Sequence, residues 1–392
     1  MSLSHARVAR APIGGCALGI SIGWPVTNIG AVADSIADDY GVSLAIVGLF
    51  TTALFVVHAS LQIPAGKAVD AMGARRIGLA SAAVAVGANA IALIAPDPAL
   101  AIAARALAGV GTALGFVAGI DYVRSQGGSP FAQGLYGGIA LGGGGIALAV
   151  VPQVEDVLSW RAPFVTAIAV ALLAAILLAA GPSDAEGSRP QPHATARDMP
   201  GVFRDHRLYR ICLLYMASFG LSVVLANWIV PLLTRAGGSS EQIAGLVGSL
   251  ILIGGIVSRP LGGTLLRRYP DRTAAILAAS FALSAVGTAL VAILGPTWLS
   301  LLGTLLLGLA AGIPFAASFA AAAGLRPDAP AVATGMVNMS ANLVIVACTP
   351  LLGLSFRLPG DGQLGFAAVV LLWLAALAAL PGMRQSARPG HS

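Results

Sequence analysis

The segment QIPAGKAVDAMGARR, residues 62–76, concentrates charge in a chain that is otherwise almost free of it. Only 10% of the 392 residues are charged. Yet Lys67, Asp70, Arg75 and Arg76 lie within ten positions, and Lys67 is the only lysine. A carboxylate beside guanidinium groups forms strong hydrogen bonds that can also be exchanged. The pattern therefore indicates an ionic contact between chain segments, and we expect no catalytic centre here.

Polar side chains inside long apolar stretches form a second candidate set. A polar or charged group inside a membrane is costly and marks function by default. The candidates for solute binding or coupling are Trp24, Asn28, His58, Arg105, Asn227, Trp228, Asn338 and Asn342. An amide, an arginine and two indoles among them would suit a small solute with an apolar body and a polar or anionic end. The alternative is structural: amides bridging helices, indoles anchoring at the membrane interface, a packed neutral histidine, and an arginine bonded to carbonyls.

Several familiar kinds of chemistry are excluded by the residues present. A phosphate-binding Walker loop needs Ser or Thr after its lysine, but Lys67 is followed by Ala68. The glycine-rich stretch GGIALGGGGIA, residues 137–147, has no strand before it and predicts close helix packing instead. The three cysteines lie in apolar segments and are interpreted as packing residues. We expect no cofactor and no metal.

The elements that position these residues are predicted to be membrane-spanning helices. The chain is 57% apolar with 49 glycines, more apolar surface than a soluble core of this size could bury. The first apolar segment leads directly into the next and is interpreted as a retained span. Twelve spans are predicted, at residues 13–34, 43–66, 77–95, 99–122, 134–153, 162–181, 209–234, 242–265, 273–295, 298–322, 331–353 and 364–381.

The distribution of basic residues predicts how the helices are oriented. An even number of spans places both termini on one side. Of the 22 basic residues, all fall on that side except Arg105, Arg161, Arg235 and Arg357. Positive residues favour the cytoplasmic side, so both termini are predicted to be cytoplasmic. The net charge of +6 is thus a topology signal, and we expect no nucleic-acid partner.

A polar segment divides the chain into two similar halves. Residues 182–208 are rich in Ser, Pro and charge, which predicts a cytoplasmic linker between domains at 1–181 and 209–392. A shift of 196 residues aligns PAGKAVDAMGARR with PLGGTLLRRYPDR, so that Pro64 meets Pro260 and Gly66 meets Gly262. Because both stretches end the second span of their half, we infer a duplication, a known plan of transporters.

Four motifs make the chain resemble a known transporter family. GKAVDAMGARR is similar to the loop signature of the major facilitator superfamily between its second and third spans. RALAGVGTALG, which begins at Arg105 on the fourth span, resembles the motif of that span. WRAPF at 160–164 and SRPLGG at 258–263 resemble two further family segments. The resemblance implies an all-α membrane protein with twelve transmembrane helices in two pseudo-symmetric six-helix bundles.

The resemblance also implies roles for the two candidate sets. A latch that biases alternating access would comprise Gly66, Asp70, Gly73, Arg75, Arg76, Asp121, Arg124 and Arg259. Ordinary anchoring by positive-inside charges and solvated helix ends is the alternative for several of them. The first, fourth, seventh and tenth spans line the central cavity in this family. That places Trp24, Asn28, Arg105, Asn227 and Trp228 near a solute.

The function expected is secondary transport of a small organic solute, with an anion as one option, by proton-coupled uptake across a bacterial plasma membrane. The partners expected are that solute, protons and the lipid bilayer, with the protein as a monomer. Drug or metabolite efflux by proton antiport is the first alternative. It is less favoured because Gly143 follows Gly142 where the family's antiporter motif has a Gly-Pro pair. A non-transporting membrane receptor or assembly subunit is the second.

The latch interpretation predicts the effect of removing one charge. Asp70→Asn is expected to leave membrane insertion intact and to reduce transport severely, because the amide cannot hold the ionic contact. Solute flux and membrane yield check this, and unchanged transport would refute the latch role of Asp70.

Overall fold

A computed structural model describes residues 11–126, 130–182, 204–327, 330–377 and 380, and every element within them is helical. The predicted linker lies largely outside these ranges. The α-helices, numbered along the chain, are α1 Ala11–Gly23, α2 Ala33–Asp39, α3 Leu44–Ser60, α4 Gln62–Met72, α5 Ala74–Ala92, α6 Pro98–Ser125, α7 Pro130–Val150, α8 Glu155–Leu158, α9 Ala162–Ala180, α10 His206–Tyr215, α11 Ser222–Pro231, α12 Glu241–Arg268, α13 Thr273–Ala292, α14 Thr297–Ala311, α15 Pro314–Leu325, α16 Pro330–Ser355 and α17 Gln363–Ala376.

Length and composition identify the chain as a multi-pass membrane protein. Within the described residues, eight helices are long and apolar enough to cross a membrane, or up to ten if each of two bent helix pairs is one span. The bent pairs are Ile13–Val26 with Gly30–Asp39 and Leu44–Ser60 with Gln62–Met72. The helix α17 is apolar but shorter. Twelve crossings and two six-helix bundles therefore stay predictions.

The structure differs from the prediction at the end of the second span. The prediction placed a loop at 67–76, whereas α4 continues to Met72 and α5 begins at Ala74. The turn is reduced to Gly73, whose φ of 89° is disfavoured for residues with a side chain. The bend lies earlier, at Leu61. The ring of Pro64 would clash with the carbonyl of Ser60 four residues before it, so a regular helix cannot continue through this point.

Helix pairs from the two halves of the chain pack directly against each other. The helix α7 lies along α12, and α3 lies along α16. Glycines of α7 make close approaches possible on two sides. A Cβ on Gly145 would lie 2.8 Å from the carbonyl oxygen of Ser249 on α12, and one on Gly143 would lie 2.5 Å from that of Ile20 on α1. The expected role of residues 137–147 in close helix packing is confirmed.

This packing predicts a stability difference between two glycine substitutions. Gly143→Ala is expected to destabilise the fold by about 1–3 kcal/mol, because its Cβ meets the backbone of Ile20 and the helices must move apart. Gly87→Ala in α5 meets nothing within 4 Å and is the matched control. Thermal unfolding of the purified proteins checks this, and equal melting temperatures would contradict it.

Candidate functional site

Most of the acidic and most of the basic side chains of the described helices lie at opposite ends. We call the end with Arg75, Arg76, Arg267 and Arg268 the basic end, and the end with Asp34, Asp97, Glu155 and Glu241 the acidic end. Short turns join antiparallel helices, so α3 and α12 run from the acidic to the basic end, and α16 begins at the basic end. The basic end corresponds to the predicted cytoplasmic side.

A cavity of about 560 Å³ lies between helices of the two halves. Its walls are mainly aliphatic and aromatic, and none of the described residues that line it is acidic. The polar side chains in the lining are His58, Thr112, Tyr215, Arg259, Thr334, Asn338 and Asn342. Gly335, in the first turns of α16, lines the cavity and is exposed. The structure is therefore a state whose cavity reaches toward the basic end.

Arg259 supplies the positive charge of the cavity wall. Its side chain is 6% exposed, and its Nη1 donates to the carbonyl oxygen of Gly137 across the two halves at 3.0 Å. The guanidinium carbon lies 4.3 Å from the ring centroid of Phe315 and 5.4 Å from that of Phe219. The Nε donor has no hydrogen-bond partner among the described residues. Aromatic faces thus hold the cation while one donor stays available.

The helix α16 adds amide groups to the same cavity. Asn338 and Asn342 are one turn apart and both line it. The Nδ2 atom of Asn342 is buried and has no partner among the described residues. A buried donor without a partner costs free energy that a ligand acceptor would recover. The structure therefore brings both predicted asparagines to the cavity wall, and solute binding by them stays a prediction.

His58 lies on the opposite wall and has hydrogen-bond contacts at both ring nitrogens. Nδ1 is 3.0 Å from Oγ1 of Thr112, and Nε2 is 2.8 Å from Nε2 of Gln62. The rings of Phe55 and Phe116 meet the imidazole edge-on, each with a centroid distance of 6.1 Å. The structure brings this predicted residue into the cavity lining, and its role in coupling stays a prediction.

Arg105 is buried in a separate polar layer and is not among the residues that line the cavity. It is 1% exposed, and its guanidinium donates to Oδ1 of Asn28 at 3.2 Å, to the Phe50 carbonyl at 3.4 Å and to the Pro25 carbonyl. Asn28 donates in turn to the carbonyl of Pro163 at 2.9 Å. In this state both side chains brace helices, and solute contact by Arg105 stays a prediction.

A second group in this layer joins the two halves on the acidic side of the cavity. Nδ2 of Asn227 donates to the Val26 carbonyl at 3.1 Å, and its Oδ1 accepts from Thr51 at 3.2 Å. The backbone of Gly30 lies against Asn227 so closely that a Cβ would be 2.4 Å from its carbonyl oxygen. Near the surface, Nε of Arg235 and Oδ1 of Asp34 form an ion pair at 2.5 Å. The acidic end is thereby closed.

The two tryptophans predicted near the solute also lie outside the cavity lining. Nε1 of Trp24 donates to Oγ1 of Thr166 at 3.2 Å. Nε1 of Trp228 donates to the carbonyl of Thr349 at 2.8 Å, which ties α11 to α16. These indoles lock neighbouring helices in the described state.

The predicted latch residues on α4 and α5 occupy the basic end. Gly66 is buried, and Gly73 forms the turn between α4 and α5. Nε of Arg75 donates to the Leu178 carbonyl at 3.2 Å and its Nη2 to the Ala179 carbonyl, so this arginine caps the C-terminus of α9. Arg76 is exposed.

The remaining latch residues are divided between two places. Asp70 on α4 and Asp121 on α6 belong to helices that pack together, and the side chain of Arg124 lies outside the described residues. Arg259 lies apart from them, in the cavity wall. Arg259 falls inside the predicted span 242–265. An arginine within an apolar span is the signal that singled out Arg105, and it could have identified Arg259 as a candidate for solute binding. Nothing in the sequence pattern distinguished its aromatic partners Phe219 and Phe315 from the other apolar residues of the spans.

The close contact at the acidic end predicts a shift between conformations. Gly30→Val should prevent the approach to Asn227 and favour a state open at that end, because the added side chain meets backbone. In an otherwise cysteine-free chain, Val230→Cys, which is 1% exposed here, should react faster with an impermeant maleimide when Gly30→Val is present. Gly87→Val is the matched control, and equal rates for both would contradict this assignment.

Comparison with known proteins places this geometry in a family. The model of the Major Facilitator Superfamily matches residues 14–349. A probable sulfoacetate transporter, SauU of Cupriavidus necator, is 26% identical over 285 residues, which are 67% of this chain and 65% of that protein, so less than two thirds of its length is matched.

Solved transporter structures share the fold of this chain. The nucleoside transporter NupG superimposes with a TM-score of 0.75 at 15% identity, covering 97% of this chain and 99% of that one. Its D323A mutant gives 0.77 at 16% identity, with coverage of 96% and 99%. At such low identity the likeness shows the fold alone. With the family match over most of its length, the chain belongs to the major facilitator superfamily.

Proposed function

We propose that this protein is a secondary transporter of a small organic anion, which binds with its charged group at Arg259. The observation that carries the proposal is a buried guanidinium, with one donor without a partner, in a cavity that has no acidic lining residue among those described. A carboxylate or sulfonate would supply the missing acceptor and the countercharge together.

The rest of the cavity supports an amphipathic solute. Its 560 Å³ falls within the range of about 300–1,000 Å³ that is usual for small-molecule sites. Tyr215, Phe219, Phe315 and Phe319 form an aromatic wall that would contact the apolar body. The name of the relative SauU, a probable sulfoacetate transporter, is consistent with an anionic solute. A cationic drug would instead meet the positive charge of Arg259 without a compensating carboxylate.

Proton-coupled uptake is the mode we propose. A negative-inside potential opposes entry of an anion by about 2.3 kcal/mol per charge at 100 mV. Movement of one proton with each negative charge of the solute removes this opposition. The distribution of basic residues supports cytoplasmic termini in a bacterial plasma membrane. Movement by alternating access would require the contacts that close the acidic end, at Asn227 and Asp34, to exchange for contacts at the basic end.

Purified protein in liposomes tests the function. The solute panel contains sulfoacetate, aromatic and aliphatic carboxylates, the neutral nucleoside uridine and a quaternary ammonium ion, each with and without an inside-alkaline pH gradient. We expect accumulation of at least one anion, driven by the gradient. Flux of only the neutral or cationic solutes would overturn the anion assignment. Gradient-driven export would reverse the direction, and binding without flux would indicate a receptor.

Arg259 gives a quantitative prediction for whichever anion the panel identifies. Arg259→Gln should raise the KM by about 10- to 150-fold, the equivalent of losing about 1.5–3 kcal/mol in a hydrogen bond to a charged group. Arg259→Lys should retain part of the affinity, because it keeps the charge. The matched control is Arg357→Gln, which removes an exposed arginine outside the cavity. An unchanged KM in Arg259→Gln would refute the anchor role.

A further inference from the structure

The bend between α3 and α4 is spanned by one side-chain pair that also faces the cavity. The two helices meet at 54° around Leu61. His58 lies on the last turn of α3 and Gln62 is the first residue of α4, so their hydrogen bond crosses the break. The Nε2 atom of Gln62 also lies 3.3 Å from the carbonyl oxygen of His58. The helix that begins at Gln62 is thus joined to the cavity wall through His58.

With the Gln62 amide nitrogen facing both Nε2 and the carbonyl oxygen of His58, the hydrogen-bond pattern fits a neutral imidazole. The amide nitrogen of Gln62 can only donate, so Nε2 of His58 accepts from it. The ring proton therefore lies on Nδ1, which donates a hydrogen bond to Oγ1 of Thr112. The Thr112 hydroxyl in turn donates a hydrogen bond to the carbonyl of Gly109. A proton added at Nε2 turns that atom into a donor. The Gln62 amide must then rotate to present Oε1, and its contact with the His58 carbonyl is lost.

Few charged or titratable groups surround this pair. Across the cavity they are the Arg259 guanidinium and the Tyr215 hydroxyl. On α6, about two turns from Thr112 toward the acidic end, Arg105 is bonded to Asn28, while Asp121 lies about two and a half turns toward the basic end.

The other neighbouring helices add little charge. On α16, which packs along α3, the titratable group within the described side chains is the thiol of Cys348. On α4, Lys67 and Asp70 are exposed and lie more than a turn beyond Gln62. The helix α3 itself carries no other titratable side chain. His58 is therefore the group of the cavity that can gain and lose a proton without a carboxylate partner.

We propose that His58 is the proton-binding site of the transport cycle, and that Gln62 transmits its protonation across the helix break to the α4–α5 segment. The neutral ring belongs to the described state, in which the cavity reaches the basic end. Protonation reverses the Gln62 bond and removes the contact of Gln62 with the His58 carbonyl, which favours the state in which the basic end is closed. A proton taken up at the acidic end would then be released toward the basic end, which is the order that uptake requires.

A distance measurement without any solute tests the conformational part. Nitroxide labels are attached at Met72→Cys on α4 and Tyr269→Cys after α12, both exposed at the basic end, in an otherwise cysteine-free chain. Between about pH 8 and pH 4, a range wide enough for a buried histidine, the distance distribution should move to shorter values. His58→Gln should abolish the shift. A wild-type distance that does not respond to pH, or a response kept in His58→Gln, would overturn the proposal.

A second variant separates a proton switch from a merely structural contact. Gln62→Glu places a carboxylate where it accepts from the imidazolium, so the midpoint of the distance change should move about one to three pH units toward alkaline pH. Ser60→Ala removes a hydroxyl that bonds only to its own helix at Val56, and it should leave the midpoint unchanged. A structural role alone would leave the midpoint in place for Gln62→Glu.

Solute coupling is measured separately, because it rests on the proposed transport function. With an anion identified in the liposome panel, His58→Gln should lower accumulation to the level seen without a pH gradient. If wild type carries no anion, the transport proposal fails while the distance measurement still decides the role of His58. If wild type couples and His58→Gln couples equally well, the proton site lies elsewhere.

Discussion

The structure depends on how two guanidinium groups are accommodated inside an apolar, membrane-spanning protein. A charge in such surroundings must be bonded, because desolvation costs several kcal/mol when it is not. Arg105 meets this requirement at each of its three guanidinium nitrogens, through Asn28 and the carbonyls of Pro25 and Phe50. Arg259 meets it only in part, through Gly137 and two aromatic rings. The first arrangement stabilises the helices around it, and the second leaves a requirement that a solute can fulfil.

The same distinction separates the acidic side of the cavity from its interior. On the acidic side, Asn227, Thr51 and the Val26 carbonyl satisfy one another across the two halves of the chain. In the interior, the buried amide of Asn342 lies at the cavity without a partner among the described residues. Polar groups that pair with protein hold one conformation closed, whereas polar groups without such pairs are available to a ligand. In the proposed transport cycle, polar groups would pair alternately with the protein and with the solute.

Backbone geometry provides the points at which such a change can occur. Pro64 ends the regular hydrogen bonding of α3 at Leu61 and produces the bend that His58 and Gln62 span. Gly30 lets the first half of the chain approach Asn227 with no side chain between them. A proline break and a glycine contact are local features.

The amino-acid sequence by itself determined the class of protein and its family, because apolar helices of membrane length and the residues of the 62–76 loop are local patterns. It also singled out His58, Asn338 and Asn342, which line the cavity. Which arginine meets the cavity was decided only by the tertiary structure. Arg105 and Arg259 are both arginines in apolar helices, and their difference lies in the carbonyls, amides and rings that other helices bring to them. Those neighbours are set by helix rotation and packing, which the pattern along one helix does not specify.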